Sequence, residues 1–185
     1  MSRSAARGVT LVELVVFIVI VGVAMAGVFA AFNTMTAASA DPQVRKQMLA
    51  IAESLMEEIQ LMPFTFCDPD DPAAPTATGT GDCATVEGLG AEGGETRYTT
   101  PQFDNVSDYH GFSMGPGIQD IGNNTITGLG GYSASVTITL AGLGSGVNAI
   151  AAADALLISI TVTHSGQNPI QLDGYRTRYA PNSLP

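Results

Sequence analysis

From Gly8 to Phe32 the chain is almost unbrokenly apolar, and from Leu14 to Phe32 it carries no charge. Those roughly 19 positions make a helix of about 28 Å, close to the hydrocarbon thickness of a bilayer. The run is apolar all round, so it must face lipid or other helices. Gly22 and Gly27 within it suit either close helix approach or simple tolerance of glycine in a membrane helix. Past Asp41-Pro42 the pattern changes. Val44, Met48, Ile51, Leu55, Ile59 and Met62 recur every three or four residues, with Lys46, Glu53, Glu57 and Gln60 on another face. This spacing predicts an amphipathic second half whose stripe packs on a sheet. Asp41 can cap and Pro42 can open a helix, so a kink or restart is expected there, and Pro63 should end the helix.

Period-two alternation takes over further on. Tyr132, Ala134, Val136, Ile138 and Leu140 share one face of a strand, with Ser and Thr opposite. Leu156 to His164 repeats the pattern with Ile158, Ile160 and Val162 inward. Ile170 to Tyr179 is a third strand, with Gly174 at an expected bulge. Thr96 to Phe103 is a further candidate strand, and Asn148 to Asp154 a short helical turn. The expected class is α+β, a long N-terminal helix packed on a small antiparallel sheet. The expected divisions are a leader over 1–8, a helix over 9–62 with its transmembrane half at 9–32, and a globular β domain over 63–185.

Charge narrows the partners. The chain has 7 basic and 17 acidic side chains, a net charge of −10. No basic patch is available to displace phosphate counterions, so nucleic acid is not an expected partner. The two cysteines, Cys67 and Cys83, are read as a disulfide closing a loop of about 17 residues, worth roughly 3 kcal/mol. The alternatives are free thiols or half a zinc site, but His110 and His164 are the only histidines and are not closely spaced. The Asp68 to Asp71 stretch could attract calcium, but it lacks an EF-hand spacing and is read as a solvated acidic loop. No metal and no cofactor are expected.

The start of the apolar run carries a specific motif. Arg7-Gly8-Val9-Thr10-Leu11-Val12-Glu13-Leu14 resembles the cleavage and methylation signal of type IV pilins and pseudopilins. The resemblance implies a type IV pilin-like fold. It implies cutting between Gly8 and Val9 by the prepilin peptidase, then methylation of the Val9 amine; family members usually carry Phe at that first mature position. Glu13 becomes the fifth mature residue, and its carboxylate is expected to pair with the N-terminus of a neighbouring subunit, setting the axial register of packed helices. Removal of Arg3 and Arg7 with the leader leaves 5 basic side chains against the 17 acidic ones. The leader's arginines place the N-terminus in the cytoplasm and the domain beyond the inner membrane, in the periplasm and then in a fibre. The expected partners are other pilin subunits, through the N-terminal helix, and the peptidase.

The opening residues, the aromatic loop Phe103 to Phe112 and Gly174 to Asn182, GYRTRYAPN, are similar to the minor pilins of the mannose-sensitive haemagglutinin (MSHA) pilus system. Assembly of a pilus is the function this implies. A type II secretion pseudopilin and a filament-borne adhesin are the alternatives, the latter with Phe103 to Phe112 as its recognition surface. No nucleophile-elbow motif accompanies His110 or His164, so no enzyme is expected.

Overall fold

A computed structural model describes residues 9–184, and of residues 33–41 the backbone alone. The leader Met1 to Gly8, with the expected cleavage residue Gly8, lies outside the described residues, as does the capping side chain of Asp41. The chain divides into two compact units, Met1–Gln43 and Val44–Pro185.

The helix α1, Leu11–Leu61, runs through Pro42, where a kink or a restart was the expectation; the helical assignment does not break there. Its N-terminal turn is capped from within the motif. The Thr10 hydroxyl accepts the Glu13 backbone N–H at 3.3 Å, so one of the orphan donors of the first turn is satisfied.

In the second unit, α1 supplies Met48, Ile51, Ala52, Leu55, Met56 and Ile59 to the core, all buried. Val44 and Met62, at the ends of the predicted stripe, are partly buried against it. The sheet is an antiparallel meander in the order β1-β2-β3-β4, comprising Ser113–Met114, Tyr132–Leu140, Ala155–His164 and Ile170–Thr177. Val136, Ile138, Ile158, Ile160 and Val162 share one apolar cluster with the helix residues. The α+β, pilin-like class therefore holds.

Four details depart from the sequence expectation. Thr96 to Phe103 forms no strand: Thr96 makes a single bridge to Gln102, and its hydroxyl closes a local turn with Thr99. The first strand is instead the two-residue β1, too short to leave a periodic signal. Leu140 is exposed, because the buried face of β2 ends at Ile138. Gly174 makes no bulge. The β3–β4 register runs unbroken through Ile158↔Gly174, and the residue has a different reason, close approach to the helix. A β carbon there would lie 2.7 Å from the Met56 sulfur.

Candidate functional site: the N-terminal helix and the domain behind it

The sequence places its densest chemistry at the start of α1, and the structure shows what that surface offers. Leu11–Phe32 is a candidate membrane span of 22 residues with mean hydropathy 2.9, none of it buried. Large side chains along it stand open, from Leu11 at 78% and Phe17 at 63% to Phe29 at 68%. Exposed apolar surface on that scale is not stable in water and needs lipid or other helices around it. Nothing lies within 4 Å of a β carbon built on Gly22 or Gly27, so neither glycine answers a contact inside this chain. Val9 and Glu13 are both exposed at the mouth of this run.

The second unit is held by polar contacts that the sequence reading missed. Arg97 is paired with Glu58 of α1, and the same carboxylate accepts the Tyr109 hydroxyl at 2.9 Å. Burial pulls the Arg97 pKa down, but the hydrogen bond and charge of Glu58 outweigh it and raise the pKa. No sequence period marks Glu58, which lies 39 residues from its partner.

The GYRTRYAPN segment is structural. The Arg176 guanidinium donates to the Met62 carbonyl at 2.9 Å, satisfying an acceptor at the end of α1. Arg178 lies 4.0 Å over the Phe64 ring and 4.5 Å over Phe66, and it bonds Asp154. Asn182 donates to the Ala74 and Ala77 carbonyls. These three side chains tie the C-terminal segment to the helix end and to the loop closed by the Cys67–Cys83 disulfide, whose Cα atoms are 5.3 Å apart.

The expected recognition surface at Phe103 to Phe112 is buried at its centre and half-buried at its ends, with Gly111 exposed. Val106, Ser107, Asp108 and Tyr109 are buried, and Phe103, Tyr109 and Phe112 pack edge to face with centroids 4.9–6.1 Å apart. The aromatic rings face the core because the Asp108 carboxylate accepts the backbone N–H groups of Asp104 and Asn105 and folds the loop inward. His110 accepts the Ile138 N–H at Nδ1, and His164 stacks on Tyr132 at 4.5 Å. They lie at separate places in the sheet and serve its packing.

Of the Asp68 to Asp71 group, Asp71 turns inward. It accepts the N–H groups of Ala73 and Thr85, which hold its carboxyl below the usual range, Thr85 most strongly. Asp68 and Asp70 instead meet Glu95 and Asp104, with one carboxylate oxygen from each within 4.8 Å of the others. Sequence spacing could not show this, because Glu95 and Asp104 lie in a later part of the chain.

Residues 3–29 match the family model described as the prokaryotic N-terminal methylation motif. Comparison with curated proteins and with solved structures gives no match. The motif together with the apolar N-terminal helix supports membrane anchoring. The motif at residues 3–29, heading a long helix that packs on an antiparallel sheet, supports a place for this chain in the type IV pilin and pseudopilin superfamily.

Proposed function

We propose that the protein is a minor pilin that takes part in assembly of a type IV pilus of the MSHA type, in the manner of the minor pilin MshD. The observation that carries the subunit role is the pairing of the methylation motif with a wholly exposed apolar helix. The prepilin peptidase cuts between Gly8 and Val9 and methylates the Val9 amine. Val9 to Phe32 anchors the protein in the inner membrane with the N-terminus cytoplasmic and the domain periplasmic. In the fibre, that helix packs against the helices of other subunits.

Glu13 sets the register. In a low-dielectric bundle an unpaired carboxylate is strongly penalised, so it seeks the positive N-terminus of an adjacent subunit. The Thr10 hydroxyl also caps the first turn by accepting the Glu13 N–H, which supports a defined helix start next to the cleavage point. The GYRTRYAPN segment supports the MSHA-type reading through sequence likeness. The second reading is a type II secretion pseudopilin, which the same motif favours equally. An adhesin role has less support from the aromatic loop, whose centre, Asn105 to Tyr109, is buried.

Mass spectrometry of the mature N-terminus tests the processing step. N-methyl-valine at Val9 is expected, and an intact Met1 overturns it. A deletion strain separates the two readings: loss of pili with secretion intact supports the pilus, and the converse supports the secretion system.

A further inference from the structure

Four carboxylates from three separate stretches converge beside the disulfide loop. Asp68, Asp70, Glu95 and Asp104 each present one oxygen, and all four oxygens lie within 4.8 Å of one another. Like charges so placed repel, and a bound proton or a cation must offset them. The three arginines of the loops and sheet are engaged elsewhere. Arg97 is paired with Glu58, Arg178 bonds Asp154, and Arg176 donates to the Met62 carbonyl.

A second, independent observation points to a ligand. Glu95 is only 8% exposed, and its buried Oε2 has no hydrogen-bond partner. A buried carboxylate oxygen without a donor is costly, and native structures rarely leave one so. This side chain is aimed at the other three carboxylates rather than at any donor. Asp70 forms the open rim, being exposed. Asp68 and Asp104 are partly buried between the two. The backbone is held firmly behind them: the Asp70 N–H donates to Asp68 Oδ1 at 2.8 Å, and the Asp104 N–H donates to Asp108 at 2.9 Å.

The donor chemistry selects the ion. An all-carboxylate set suits a hard cation and not zinc or copper, which favour nitrogen and sulfur. Oxygens up to 4.8 Å apart can lie across one ion at Ca–O distances of about 2.3–2.6 Å, whereas magnesium at about 2.0–2.1 Å would need them drawn closer. We propose that Asp68, Asp70, Glu95 and Asp104 bind one calcium ion, the rim at Asp70 leaving room for water to complete the coordination.

The test is calorimetric titration of CaCl2 into the full-length protein, stripped with EDTA, dialysed and held in a non-ionic detergent. A saturable component of one ion per chain is expected, with a rise in Tm that MgCl2 at equal concentration does not reproduce. Asp70→Asn, at the exposed rim, should raise the Kd tenfold or more. Glu95→Gln should abolish the calcium-induced rise in Tm while leaving the Tm in EDTA about equal, because the amide has the shape of the carboxyl it replaces. Absence of a saturable component, an equal response to magnesium, or wild-type calcium affinity in both variants overturns the site. A Glu95→Gln protein that loses Tm in EDTA but keeps calcium binding overturns it as well, by assigning Glu95 a purely structural part.

Discussion

Glu58 and Arg97 meet through two parallel hydrogen bonds, Nε to Oε1 at 2.6 Å and Nη2 to Oε2 at 2.7 Å, with side chains only 18% and 5% exposed. The fork of the guanidinium matches the carboxylate, which a lysine cannot do. Arg97 also reaches the Gln119 carbonyl at 3.1 Å, so the pair fastens α1 to the chain around β1. Removing one partner leaves a buried charge alone. Glu58→Ala or Arg97→Ala should each cost about 3–5 kcal/mol by chemical denaturation, and Arg97→Lys should not restore the loss. The double variant Glu58→Leu with Arg97→Met should be less destabilised than either alanine variant. Additive losses instead would show that the pair is not coupled.

Gly174 makes a different kind of contact. Its missing side chain leaves the space that Met56 fills, with the Met56 sulfur 2.7 Å and the Gln60 side-chain nitrogen 3.0 Å from where a β carbon would stand. Those atoms are the far ends of flexible side chains, so Met56 and Gln60 should shift aside and Gly174→Val should cost no more than about 1 kcal/mol, read as a small fall in Tm. Met56→Ala in the Gly174→Val background should recover part of that loss. A loss well beyond that would show that Met56 is locked in place and cannot yield.

These two contacts mark what the sequence could and could not reveal. The stripe Met48, Ile51, Leu55 and Ile59 and the alternation through Val136, Ile138, Ile158 and Ile160 are periodic, so both faces of the core were legible. The Thr10-Leu11-Val12-Glu13 start was legible because its spacing is local. Glu58–Arg97, Asp108 with its loop, and the Asp68–Glu95–Asp104 group are not periodic. Each joins residues that are distant in sequence or lie in turns, where no repeat announces which way a side chain points. The aromatic residues at Phe103 to Phe112 misled for the same reason: among polar neighbours they suggested a surface, while one carboxylate turned them inward. Gly174 shows the converse, a glycine in a strand whose neighbour across the core, and not its own backbone, explains it.

Glu87 has the largest share in the pH dependence, beside Glu95, Asp108 and Asp104, whose carboxyls burial also pushes up. Burial, and then the charges of Asp108, Glu92 and Asp68, push its carboxyl from 4.5 up to about 9, although the Ser107 hydroxyl bonds it and opposes the shift. Arg178 also bears on it, from the opposite charge. The folded state thus holds a proton on Glu87 that the unfolded chain releases near 4.5. The stability from this group is fully present below pH 4.5 and is lost as the pH rises through about 9. In EDTA the Tm of the full-length protein should decline from pH 5 to pH 9, and Glu87→Gln should flatten that decline. An unchanged slope in the variant would remove Glu87 from the account.

Membrane anchoring and folding are separable in this chain. Every buried apolar residue among the described residues lies at Met48 or later, while Leu11–Phe32 contributes no buried residue. The helical segment that carries the core stripe begins with the second unit at Val44. A membrane helix exposed to lipid gains nothing from this core, and the core loses nothing when that helix is removed. A chain shortened to begin at Gln43 should therefore be soluble and monomeric without detergent, with a Tm within about 4 °C of the full-length protein, a shift that corresponds to less than about 1 kcal/mol for a domain of this size. The full-length chain should partition into membranes and require detergent. A shortened chain that unfolds or aggregates would mean that residues before Gln43 stabilise the domain, and the apolar run would then serve the fold as well as the membrane.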